Sequence, residues 1–217
     1  MRTYIGPIGF NPTSVTRPIL SHGLDDGDVV TLVRPEDETD ERRAEETMAD
    51  VDRTLGALEP EVSTSIARVP YDDFGEAVLA CNEIIREASG DRVLILGGGA
   101  RDVLLPLAVA GLSILDFISL VLVYSDIDGA VREITLPNLA TSISDRSMET
   151  LAIVGQEGTT SLPQITEKAE YSKSTITRHV NQLAEENVVE AWMEGRHKKV
   201  RITTTGRLLL GSAMGSR

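Results

Sequence analysis

Residues 91–103 read Asp91-Arg-Val-Leu-Ile-Leu96-Gly97-Gly98-Gly99-Ala100-Arg101-Asp102-Val103. An apolar run of strand length stops at three glycines, and a helical pattern follows at once. Continuous apolar character marks a strand buried on both faces, as in a parallel sheet. The glycines let the backbone pass close to a ligand and aim N–H groups at an anion, while the next helix offers its positive N-terminus. Arg101, on that first turn, can pair with a phosphate or stack on a base. The plain alternative is a tight strand-to-helix turn that binds nothing.

The same alternation extends in both directions. Upstream, residues 2–6 form a short strand, 11–21 a helix and 28–34 a β-branched buried strand. A helix over 39–58 carries Met48, Val51 and Leu55 on one face; 62–69 is a strand, and 71–88 a helix with Phe74, Ala77, Val78, Cys81, Ile84 and Ile85 at helical spacing, stopped by Gly90. Downstream come a helix over 103–112, a strand over 117–124, the turn Asp126-Ile-Asp-Gly129 and a last strand over 131–136. This pattern predicts an α/β fold, a Rossmann-like doubly wound and mostly parallel sheet with helices on both faces. It occupies residues 1–139.

Residues 140–217 change style. A polar linker, 140–145, leads to helices over 146–156, 161–169 and 172–187, strands over 188–193 and 199–203, and a helix over 204–212. Helix, helix, helix, hairpin, helix is the order of a winged helix-turn-helix domain. In the third helix Ser172 is a good N-cap, and Ile176, Val180 and Leu183 form an apolar stripe. The opposite face carries Lys173, Ser174, Thr177, Arg178 and Asn181, donors suited to phosphates and base edges, with Thr175 beside them. The hairpin tip, Glu194-Gly195-Arg196-His197-Lys198 with Lys199 following, is basic as a wing against DNA would be. A solvated basic face is the alternative, and the full order of elements favours DNA.

Composition bounds the rest. The chain has 217 residues and a formal charge of −13. Residues 1–144 hold 11 Lys/Arg and 25 Asp/Glu, and residues 145–217 hold 10 and 9, so the acid belongs to the first domain (about −14) and not to the second (about +1). A strongly acidic surface with few lysines points to high salt, where phosphate attraction weakens and base contacts must carry more of any DNA binding. Cys81 is the only cysteine, which excludes a disulfide framework and a cysteine zinc site. His179 and His197 have no cysteine or carboxylate pair at ligand spacing. His197 is expected to be a wing contact and His179 to face the groove or solvent. No signal peptide or membrane span is visible, so a soluble cytoplasmic protein without membrane contact is expected.

A nucleotide-cofactor enzyme is disfavoured. The first loop, Gly6-Pro-Ile-Gly9-Phe10-Asn11-Pro-Thr13-Ser14, lacks Gly-x-Gly-x-x-Gly spacing; Arg34-Pro35 ends the second strand where a ribose-binding acid would stand; and no lysine follows the glycines. No set of nucleophile, base and acid stands out, so no catalytic residues, metal or cofactor are expected.

Residues 161–183 resemble the screening helix, turn and recognition helix of winged-helix regulators of the MarR and ArsR type, and Glu194-Gly-Arg-His-Lys-Lys-Val-Arg-Ile-Thr-Thr-Thr-Gly206 resembles their wing and last helix. Thr3-Tyr-Ile-Gly-Pro-Ile-Gly-Phe-Asn-Pro-Thr-Ser14 followed by Gly27-Asp-Val-Val-Thr-Leu-Val-Arg-Pro35 resembles the start of CARF domains, the CRISPR-associated Rossmann-fold sensors. Val93-Leu-Ile-Leu-Gly-Gly-Gly-Ala-Arg-Asp-Val103 is similar to their second signature.

The whole chain thus resembles archaeal CRISPR-associated transcriptional regulators. That resemblance implies a homodimer with one pocket across its two-fold axis, for cyclic tetra-adenylate or another nucleotide-like ligand, and double-stranded promoter DNA as partner. The ligand-facing positions it implies are Gly9, Phe10, Asn11, Thr13 and Ser14, and Gly97, Gly98, Gly99, Ala100 and Arg101. Gly99 departs from the pattern, since Thr or Ser is frequent there and supplies a hydroxyl. Two other readings stay open: a metabolic regulator sensing another small molecule, and a ring nuclease cleaving the cyclic ligand.

Overall fold

The structure is a computed structural model that describes residues 1–37, 41–59 and 61–215. Contacts divide the chain into an N-terminal unit, Met1–Leu136, and a C-terminal unit, Pro137–Arg217.

The N-terminal unit is built from β1 (Arg2–Pro7), α1 (Thr13–His22), β2 (Val29–Pro35), α2 (Glu41–Gly56), β3 (Ser63–Val69), α3 (Phe74–Glu87), β4 (Asp91–Leu96), α4 (Arg101–Ser113), β5 (Leu120–Tyr124) and β6 (Val131–Ile134). The sheet order is β3-β2-β1-β4-β5-β6, parallel throughout except for the antiparallel edge strand β6. Side chains alternate between the faces with the period of two that a strand imposes. Tyr4, Val30, Leu32, Val93 and Ile95 pack with Val15 and Ile19 of α1 and Val51 and Leu55 of α2. Ile5, Val33 and Leu94 pack on the other side with Cys81 and Ile85 of α3 and Val103, Leu107 and Ala110 of α4. This is the doubly wound fold read from the sequence.

Some boundaries move for local reasons. Asp73, extended at φ −122, accepts from the N–H groups of Gly75 and Glu76, so α3 starts at Phe74. It also ends at Glu87, before Gly90 can act as its cap. A 3-10 turn at Leu115–Phe117 takes the start of the strand expected over 117–124. The expected start of α2 at Thr39 lies outside the described residues.

The C-terminal unit runs α5 (Asp145–Glu157), β7 (Thr159–Ser161), α6 (Leu162–Lys168), α7 (Lys173–Glu185), β8 (Val189–Glu194), β9 (His197–Ile202) and α8 (Thr204–Gly215), with sheet order β7-β9-β8. This is a winged helix-turn-helix. The hairpin is tighter than the five-residue tip read from the sequence. Glu194 pairs with His197 across a two-residue turn, and Gly195 holds its first central position at φ +61, the place where such a turn favours glycine. Its core joins Leu151 and Val154, Ile165, and Ile176, Val180 and Leu183 to Val189 and Val200. No helix among the described residues is long and apolar enough to cross a membrane.

Candidate functional site

Strand order reverses between β1 and β4, so the loops leaving their carboxyl ends diverge to opposite faces and open a crevice. The two loops meet there. A Cβ on Gly9 would lie 3.2 Å from the Gly99 Cα, and one on Gly99 would lie 2.7 Å from Pro7. Gly98, at φ +70, sits over Ser14 so closely that a Cβ would stand 2.1 Å from its Oγ. The glycine run is therefore required by the packing of loop on loop, whatever occupies the space above it. That space is a cavity of about 590 Å³. Gly9, Phe10 and Asn11 line it from the β1 side and Gly99 and Ala100 from the β4 side. Ala100 gives no side-chain cap to α4, whose positive end lies at this loop.

The other proposed ligand positions lie elsewhere. The Ser14 side chain is buried and its hydroxyl donates to the Asn11 carbonyl at 2.8 Å, so Ser14 supports the loop and does not face a ligand. Gly97 is buried against Tyr124. Thr13 is exposed at the start of α1, its N–H donating to Asn11 Oδ1 at 3.0 Å. Arg101 is exposed on the first turn of α4. Gly98 does not line the cavity. The sequence reading missed the far wall: Pro35 at the end of β2, Asp37 just after it, Arg43 on α2 and Tyr71 after β3. The Arg43 guanidinium lies 4.3 Å from the Phe10 ring centroid. Parallel pairing of β3 with β2 and of β2 with β1 brings these distant positions together, and no local motif announces them.

In the C-terminal unit, α7 starts at the cap Ser172, whose Oγ accepts from Thr175 N–H at 3.3 Å. Lys173, Ser174, Arg178 and Asn181 are exposed on it, and half-buried Thr177 returns its hydroxyl to the Lys173 carbonyl. Lys198 Nζ donates to Asn181 Oδ1 at 2.6 Å, which ties the wing to α7. Arg196 and His197 are exposed at the turn.

Neighbouring residues of a strand point to opposite faces, so Lys199 turns away from Lys198, and its Nζ lies 3.4 Å from Glu194. One expectation is corrected. His179 is not exposed: it is 4% accessible, three residues after Ile176 on the buried stripe, with Nδ1 2.9 Å from the Thr150 hydroxyl and its ring edge-on to Tyr171. Burial, reinforced by Arg178 and Arg146, holds its pKa below the ordinary histidine value. Burial likewise pushes the Cys81 thiol up to about 12, which makes it unreactive. Among the described residues no cluster of His, Cys, Asp and Glu could hold a metal ion.

A Rossmann-like domain with a crevice at its switch point, followed by a winged helix-turn-helix, defines the class of protein. The model of the Csa3 CRISPR-associated Rossmann-like domain matches residues 2–116, more than half of the chain, and the chain belongs to that family. No curated protein matches it. Several solved structures are similar over about a third of the chain. BpsR from Bordetella bronchiseptica, from work on regulation of its DNA binding by 6-hydroxynicotinic acid, is 16% identical with a TM-score of 0.33, over 36% of this chain and 56% of its own. AF1382 from Archaeoglobus fulgidus is 21% identical with a TM-score of 0.32, over 34% and 85%. A mutant form of MarR from E. coli, in complex with operator DNA, is 16% identical with a TM-score of 0.31, over 33% and 53%. The chain thus spans only about half the length of BpsR and MarR, and likeness at this level carries no argument about function.

Proposed function

We propose that the protein is a dimeric, ligand-responsive transcriptional regulator. It binds promoter DNA through α7 and the wing, and a cyclic oligoadenylate, cyclic tetra-adenylate, at the crevice of the N-terminal unit. The observation that carries this reading is the pairing, on one chain, of an anion-ready crevice with an exposed donor-bearing helix braced by the wing through Lys198 and Asn181. In this reading the ligand is bound and not turned over, and chromatography of the ligand tests that. Dimerisation uses α4. Val103, Leu107 and Ala110 face the sheet, yet Leu105 and Val109 on the outer side are apolar and exposed. A helix apolar all round is a buried helix, and a second copy supplies the matching surface.

The test measures fluorescence anisotropy of duplex DNA from upstream of the protein's own gene, with and without cyclic tetra-adenylate. Specific binding is expected, with ligand shifting the affinity at least about fivefold, the lower end of ordinary allosteric coupling. Lys173→Ala and Arg178→Ala weaken binding and flatten its salt dependence, whereas Lys199→Ala, on the opposite face of the wing, leaves both unchanged. Chromatography of the ligand shows no linear product. Equal affinity with and without ligand sinks the sensor proposal, and linear product restores the ring nuclease.

A further inference from the structure

We infer that the outer wall of the cavity is a nucleobase clamp, with Phe10 and Tyr71 as its stacking surfaces and Arg43 holding Phe10 in place. The inference rests on the reading that a nucleotide-like ligand fills the crevice, and it assigns a role to residues the anion cradle does not use.

The layout of the cavity carries it. Its lining crosses four neighbouring strand ends: Tyr71 follows β3, Pro35 and Asp37 border β2, Phe10 follows β1 and Ala100 follows β4. Three interstrand spacings are about 14 Å. A bare anion needs only the uncapped turn of α4 or the Arg43 guanidinium, and neither requires a cavity of this width. The rest of the cavity has a different chemistry. Phe10 is 47% exposed and Tyr71 48%, two rings left in water at the mouth of one pocket. Arg43 stacks 4.3 Å from the Phe10 centroid and fixes that ring from one side. Asp37, on the β2 side, repels a phosphate, and the first turn of α4 attracts one. The two ends therefore orient a ligand, with its phosphate over Gly99 and Ala100 and its uncharged, flat part against Phe10 and Tyr71. Aromatic rings bind bases through their π faces, so the clamp favours large purine bases over pyrimidines.

The experiment titrates the full chain with cyclic tetra-adenylate and with cyclic tetra-uridylate, which has the same phosphates and poorly stacking bases. The wild type is expected to prefer the adenine ring. Phe10→Ala and Tyr71→Ala each weaken it about tenfold, within the usual range for loss of one stacking partner, while binding of the uracil ring changes less than twofold. Tyr71→Phe keeps wild-type affinity. Equal losses for both rings, or none for either, overturn the clamp and leave the sensor proposal standing. A separate titration uses 2-aminopurine riboside 5′-monophosphate, whose fluorescence falls on stacking. Quenching by the wild type but not by Phe10→Ala or Tyr71→Ala, in a protein that binds neither ring, retains the clamp and removes the oligoadenylate reading. Absence of quenching by the wild type overturns the clamp.

Discussion

At the scale of single residues, the crevice depends on atoms that are missing. Gly98 and Gly99 have φ of +70 and +72, which an L side chain adopts at a cost of about 1–2 kcal/mol. At Gly98 the added Cβ would also meet Ser14 at 2.1 Å, and Ser14 is held by the Asn11 carbonyl beneath it. Gly98→Ala is therefore expected to destabilise the N-terminal unit by about 2 kcal/mol or more in urea unfolding. Adding Ser14→Gly removes the clash and returns part of that loss, and the backbone cost stays. A Gly98→Ala protein as stable as wild type would show that the two loops do not pack as described. Because packing alone demands these glycines, their presence in the sequence could not by itself decide between a binding loop and a plain turn. Titration of the Phe10 and Tyr71 variants is the measurement that separates the two.

Single elements show where sequence patterns hold and where they fail. The buried strands β2 and β4 and the amphipathic α3 and α7 were legible because their periodicity reports directly on which side meets the core. His179 was misplaced because histidine counts as polar in such a pattern, although its spacing from Ile176 and Leu183 puts it on the apolar stripe. The three-residue β7 was too short to show a period. Arg43 and Tyr71 were out of reach because their proximity to Phe10 comes from strand pairing between distant segments. The buried His179 has a measurable consequence. Its folded pKa lies below its unfolded value of about 6.5, so the unfolded chain binds more protons as pH falls through that region. The neutral ring's contribution is complete above about pH 6.5 and is lost as pH drops through the depressed folded pKa. Trp192, the only tryptophan, lies on β8 and reports on this unit alone. Its thermal transition should move to lower temperature between pH 7.5 and 5.5, and His179→Gln should flatten the slope. A wild-type midpoint that ignores pH would mean that the ring is not enclosed with Thr150.

For the whole molecule, the distribution of charge limits how two copies can meet. Residues 1–144 carry about −14, so most faces of two N-terminal units repel each other at low salt. The outward side of α4 is different. From Val103 to Leu112 the helix contains no charged residue, and its exposed Leu105 and Val109 lie on the helix whose first turn borders the cavity. Apposing two copies along α4 would hide this surface and bring the two crevices toward one axis, where a two-fold symmetric ligand could touch both. Light scattering at micromolar concentration should give the mass of two chains, more completely at high salt than at low, because screening weakens the long-range repulsion while apolar burial persists. Leu105→Glu and Val109→Glu should each yield single chains that keep their fold, since both side chains are solvent-facing in the isolated unit. They should also lose affinity for cyclic tetra-adenylate without any change to the residues of the crevice. A wild type that stays monomeric at every salt concentration would leave the apolar side of α4 without its second copy, and the shared pocket would fall with it.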